Sequence, residues 1–254
     1  MIFRRSHPKH EPFPAEWHDI IDDAFVPWRS LDEDERTRLE GLTTDLVATK
    51  RWEAAKDFKL TTEMKVTIAV HAALLILELD HGSYRNVSSV IVLPTTTMLT
   101  GERAGPARGL VTDSPMPIIG QARPHGPVSI AWDAAARQAR HPERGHNVVY
   151  HEFAHALDML SGSANGAPSL PTKEERVRWM EVCTAEYRLL QEGEGGHLLD
   201  RYGSVNPGEF FAVATEVFFD KPAAMQHHKR DLYDVLEGFY RQDPAERERK
   251  HAAH

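Results

Sequence analysis

Apolar residues along this chain recur mostly at intervals of three and four, with only short stretches of alternation. That balance predicts helices around a few strands. Leu39, Leu42, Leu46 and Val47 keep helical spacing behind Ser30-x-x-Glu33, which spells a capping box. A second, more apolar helix covers 61–79. Its run over 66–79 holds Thr67, His71 and Glu78 and is short for a membrane span, so it reads as a core helix with His71 a satisfied core or partly exposed histidine rather than a ligand. Residues 88–93, closed by Pro94, read as a strand, and so do 127–132, with Asp133 placed to cap a short helix after them. The Gly- and Pro-rich stretch 101–127 reads as loops with short strands such as Gly109–Thr112. Helices follow at 146–160, from Thr172-x-x-Glu175 to a break at 193–196, at 206–219 and at 232–240. In the second of these, Val177, Met180, Cys183, Tyr187 and Leu190 are expected to face inward.

The expected fold class is therefore α+β, mainly helical, with a small mixed sheet and an N-terminal helical layer. Residues 1–27 read as an N-terminal arm, 28–244 as a single domain and 245–254 as a solvated charged tail. The chain has 254 residues, 41% of them hydrophobic, enough to bury a substantial core. Its net charge of −8 argues against direct nucleic-acid binding, which needs a basic face. The single cysteine, Cys183, permits neither an intrachain disulfide nor a cysteine-based zinc site and reads as a small buried hydrophobe. The opening residues lack an apolar signal core, so a cytoplasmic location without membrane contact is expected.

The chemistry concentrates in His151-Glu152-Phe153-Ala154-His155. Residues four apart share a helix face, so two imidazoles can reach one ion with a carboxylate beside them, the H-E-x-x-H arrangement of zinc hydrolases. The surrounding Val148, Val149, Phe153, Ala154, Ala156 and Leu157 are apolar on more than one face. Buried there, the polar groups need partners, and a metal provides one. His125, His146 and His197 read as surface histidines.

A catalytic zinc needs a third protein ligand. The apolar helix 206–219 carries two carboxylates seven apart, Glu209 and Glu216. Asn206-Pro207-Gly208-Glu209 also spells a helix cap, and Glu216 reads equally as a ligand or as a partner to a ligand imidazole. Spacing does not separate these roles. Asp158, seven after His151, shares its face and reads either as an acceptor for a ligand imidazole or as an ordinary polar residue at a helix end. Tyr202 reads on its own as a loop tyrosine packing its ring.

The stretch 151–160, then Ala164-Asn165-Gly166-Ala167-Pro168, then Tyr202 with 206–212, and finally 232–244, resembles the Mlc titration factor A family of bacterial zinc-dependent peptidases. The spacing of Tyr202 to Glu209-Phe-Phe-Ala is also similar to the catalytic domain of anthrax lethal factor, a distant gluzincin. The resemblance runs from about 28 to 244. It implies a zincin-like core and one Zn2+ per chain held by His151, His155 and Glu209. It also implies Glu152 as the base that deprotonates the attacking water, and Tyr202 as the residue that stabilises the transition state. Peptide substrates would lie along strand 128–132, cleaved as by an aminopeptidase or an endopeptidase. A transcriptional repressor of sugar uptake is implied as a further partner, and sequestering it is the alternative main role. A metal hydrolase acting on something other than peptides needs the same ligands. The loop 161–171 reads as a plain connection, with rimming or covering the cleft as the alternative.

Overall fold

The computed structural model describes residues 13–54, 57–80, 82–95, 98–99, 103–104, 111–112, 116–117, 126–162, 164–194 and 197–252. The N-terminal layer begins earlier than expected. Helix α1 (Ala15–Ala24) turns Ile21 and Ala24 into the core and leads to a buried Phe25, so 15–27 is packed structure rather than an arm. A short 3-10 turn, Val26–Ser30, follows. It occupies Ser30, whose hydroxyl donates to the Pro27 carbonyl. The cap of α2 (Glu33–Thr49) is consequently Asp32, in a reciprocal box with Glu35, and not Ser30. Leu39 and Leu46 of α2 pack on α3 (Thr62–Leu75), which is capped by Thr61 and buried on every face from Val66 onward. Helix α3 ends four residues before the expected 79, and 76–78 form turns.

The sheet has three strands among the described residues. β1 (Arg51–Ala54), β2 (Ser89–Leu93) and a later strand at Val128–Ala131 pair in parallel, with β2 central. The expected mixed sheet is thus parallel here. Two small antiparallel pairs lie between in sequence: β3 (Met98–Leu99) with β6 (Met116–Pro117), and β4 (Arg103–Ala104) with β5 (Val111–Thr112). The strand expected at Gly109–Thr112 is described only for its last two residues. The remainder of 101–125 lies outside the described residues.

Strand β7 (Val128–Ala131) stops one residue early, because Trp132 opens α4 (Trp132–Ala139). Ala131 takes the cap position. Asp133 sits in the first turn, where its carboxylate accepts from Ala134 N–H and from the Thr95 hydroxyl. Helix α5 (Val148–Asp158) then runs through the core, every residue from Val149 on buried.

Helix α6 (Lys173–Glu192) has the expected Thr172–Glu175 capping box and the expected Gly193 stop in left-handed conformation. Of the residues expected to face inward, Cys183, Tyr187 and Leu190 pack against the core, but the first turns are rotated. Val177 and Met180 are 47% and 55% exposed, while Trp179, Val182 and Leu190 are buried. The helix carries two apolar stripes, and the larger Trp179 side chain takes the core.

Helix α7 (Pro207–Asp220) is buried along nearly its whole length against α5. Three further helices close the fold: α8 (Pro222–His228), α9 (Arg230–Tyr240) and α10 (Pro244–Ala252). The charged tail is therefore not free. Pro244 and Ala245 are buried, and Arg247 pairs with Glu35 of α2 at 2.6 Å. No described helix is long and apolar enough to cross a membrane.

Candidate metal centre

The site is built where α5 meets the first turn of α7. Asn147 caps α5, its side-chain oxygen accepting from Val149 and Tyr150 N–H. One turn in, His151 and His155 project together, their Nε2 atoms 3.2 Å apart. Glu209 meets both: its Oε2 lies 2.9 Å from His151 Nε2 and 3.2 Å from His155 Nε2. The three offer one ligand atom each, all within 4.8 Å of one another.

The cap and ligand readings of Glu209 turn out to be compatible. Asn206 accepts from the Glu209 backbone N–H at 3.0 Å, with Pro207 in the first helical position. The Glu209 side chain is left to face the imidazoles. Glu216, two turns further on, stands behind His151. Its Oε1 is 2.7 Å from His151 Nδ1 and its Oε2 accepts from Asn147 N–H at 2.6 Å. It thus fixes which His151 nitrogen faces Glu209 and ties the α5 cap to α7.

Asp158 is fully buried, and its Oδ2 accepts from Gly166 N–H at 2.8 Å. The carboxylate on the ligand-face imidazole of His151 is Glu216, whereas Asp158 holds the loop after α5. Trp179 Nε1 of α6 donates to the carbonyl of the same Gly166. Gly166 has φ +72°, and a Cβ there would lie 2.2 Å from the Pro207 carbonyl oxygen. Loop 164–168 is therefore wedged between α5, α6 and the first residue of α7, two residues before Glu209. It does more than connect.

Tyr202 lies in the 3-10 turn Arg201–Ser204 that leads into α7. Its ring is 5.9 Å from that of His151. Burial and the Glu209 charge hold the phenol above its ordinary range. His146 is exposed, its side chain at 47%, and His197 is exposed too; His125 lies outside the described residues.

Charge is unevenly shared. Burial works against a proton on His151, but Glu209 and Glu216 outweigh it and push its pKa up to about 10. Burial also works against charge on Glu209, but the bonds from His151 and His155 hold it at about 2. Burial, joined by the Glu209 and Glu216 charges, outweighs the pull of His151 and pushes Glu152 up to about 8. Its Oε1 is buried without a hydrogen-bond partner among the described residues. Glu209 and Glu216 against the imidazoles favour a positive charge among them, whether proton or metal. Two nitrogens and one oxygen suit a divalent ion of borderline softness such as zinc.

Pattern reading offers Glu216 as a partner to a ligand imidazole, but neither its bond from Asn147 N–H nor the Gly166 wedge. Both depend on backbone groups brought together by packing. The Ala-Asn-Gly-Ala-Pro spelling at 164–168 was the available signal for the wedge.

Comparison with known proteins gives the class. The chain belongs to a family of metallopeptidases, described as glucose-regulated metallo-peptidase M90, whose model matches residues 2–241. An uncharacterized protein of Synechocystis is 33% identical over 95% of this chain and 89% of its own length. Proteins called Mlc titration factor A are similarly close. That of Edwardsiella ictaluri is 32% identical, covering 96% of this chain and 93% of the relative. That of Serratia proteamaculans is 30% identical with the same coverage.

Proposed function

We propose that this chain is a zinc-dependent peptidase of the gluzincin type with a zincin-like core. The observation that carries the reading is the convergence of His151 Nε2, His155 Nε2 and Glu209 Oε2 from two packed helices, with Glu152 beside them. These three would hold one Zn2+ per chain. When bound, zinc supplies a Lewis acid and brings the pKa of a coordinated water to roughly 7.

The remaining work belongs to side chains and backbone. Glu152 follows His151 on the helix and takes the proton of the attacking water, then passes it to the leaving amine. The Tyr202 hydroxyl donates to the carbonyl oxygen as it gains charge, contributing about 2–4 kcal/mol if it matches other oxyanion donors. Glu216 keeps His151 in one tautomer and orientation. Strand β7 ends the parallel sheet among the described residues and packs on α5. An extended peptide adding to its free edge would lie alongside the site, held by main-chain bonds. Glu152→Gln tests the assignment: zinc content is expected to stay at one per chain while peptide hydrolysis is lost. Hydrolysis at the wild-type rate in that variant removes Glu152 as the base.

The naming of the relatives favours a second role beside the first, binding of a repressor of the Mlc type. A cytoplasmic location suits that role and the single free Cys183. Capture of a purified repressor of this kind by wild-type and Glu152→Gln protein alike supports a binding role separable from catalysis. No capture by either removes it.

A further inference from the structure

Behind Glu152, away from the imidazoles, the structure holds a second polar feature that the peptidase chemistry does not use. Asn86 is buried in the turn before β2, and its Nδ2 donates to the Ala156 carbonyl of α5 at 2.7 Å. A carbonyl only accepts, so this bond fixes the amide and leaves Oδ1 as an acceptor pointing elsewhere. Asn86 Oδ1 has no hydrogen-bond partner among the described residues, and neither has Glu152 Oε1, on the same helix one turn before Ala156. Asn86 and Glu152 line one cavity of about 10 Å³, closed by Val128 of β7, Ala156 and Met159.

Two buried acceptors left unmet are costly. A space of this size takes about one water, whose two O–H groups match two acceptors. We infer that Asn86 Oδ1 and Glu152 Oε1 share one buried water in this cavity, and that Asn86 is a positioning residue for Glu152. The water donates one hydrogen bond to each oxygen. With Oε1 anchored, Oε2 is the oxygen left to face the cleft and take the proton. The kinetic part of this inference rests on the peptidase reading; the water bridge itself does not.

Two measurements test it. In a crystal structure of the zinc-loaded full chain, an ordered water is expected at hydrogen-bond distance, about 2.7–3.2 Å, from both oxygens. A dry cavity, or a water touching only one of them, overturns the bridge. In peptide hydrolysis, Asn86→Leu removes the acceptor, and Val128→Ile fills the cavity while leaving both oxygens in place. Both variants are expected to lower kcat about ten-fold with KM and zinc content unchanged. Wild-type kcat in Val128→Ile overturns the positioning role, whether or not Asn86→Leu folds. If Glu152→Gln hydrolyses peptide at the wild-type rate, Glu152 is not the base and the kinetic part falls, and the water still decides the bridge.

Discussion

His71 and His151 sit on two helices packed against each other, α3 and α5, and both are almost out of reach of water, at 2% and 5% exposure. Their surroundings send them in opposite directions. His71 meets the Thr67 carbonyl of its own helix at 2.8 Å and the rings of Phe25 and Tyr150. Burial dominates there and lowers its pKa to about 4, so it stays neutral. His151 meets Glu209 and Glu216 from another helix and is raised to about 10. Burial is common to both; the partners differ. A buried histidine becomes a cation site only when a second element delivers carboxylates to it.

The largest way to disturb that contrast is to displace the element that delivers them. Gly166→Ala puts a methyl group against the Pro207 carbonyl at a left-handed φ. It is expected to cost about 3 kcal/mol. Tm should fall by about 6–12 °C, with weakened zinc retention as the start of α7 moves. A thermal melt and a chelator competition measure both. An unchanged melt means the loop yields at Pro207 and does not set the position of Glu209.

A comparable effect is expected at the neutral member of the pair. The folded pKa of His71 lies below its unfolded value, so between pH 6.5 and about 4 the unfolded chain binds a proton that the folded chain refuses. Stability then falls as pH drops through that window and levels off below it. The loss is about 3 kcal/mol. Urea unfolding at pH 7 and pH 4 should show wild-type losing about that much more than His71→Met. Equal losses would mean that His71 is not held neutral by the fold.

The smallest expected effect sharpens the other side. Glu216→Gln keeps the shape but removes the charge behind His151. Zinc affinity should fall about 10- to 100-fold, read by competition with a chromophoric chelator. Unchanged affinity would leave Glu216 as a helix-packing residue only.

Much of the site was legible because its first part is local. Two imidazoles four apart on an apolar helix declare a shared face within five residues. A carboxylate in the apolar helix α7 is also visible, though only packing shows that Glu209 faces the imidazoles and Glu216 stands behind. Asp158 shows the same limit: the Gly166 N–H that it accepts from lies in the next loop, which no side-chain pattern marks. In the fold, errors arose where neighbouring signals competed. Ser30 and Asp32 both spell caps, and a preceding 3-10 turn decides for Asp32. Val177/Met180 and Trp179/Val182 are alternative stripes on α6, decided by Trp179. Strand β1 has only four residues, Arg-Trp-Glu-Ala, too few for their alternation to mark a strand; pairing with β2 creates it.

The most direct test is elemental analysis of the purified chain after zinc reloading and removal of free metal, run beside His155→Ala and Glu209→Gln. One zinc per wild-type chain, with loss of stoichiometric retention in both variants, is the expected result. Wild-type protein holding no stoichiometric zinc, or variants holding as much as wild type, would contradict a metal centre made by His151, His155 and Glu209.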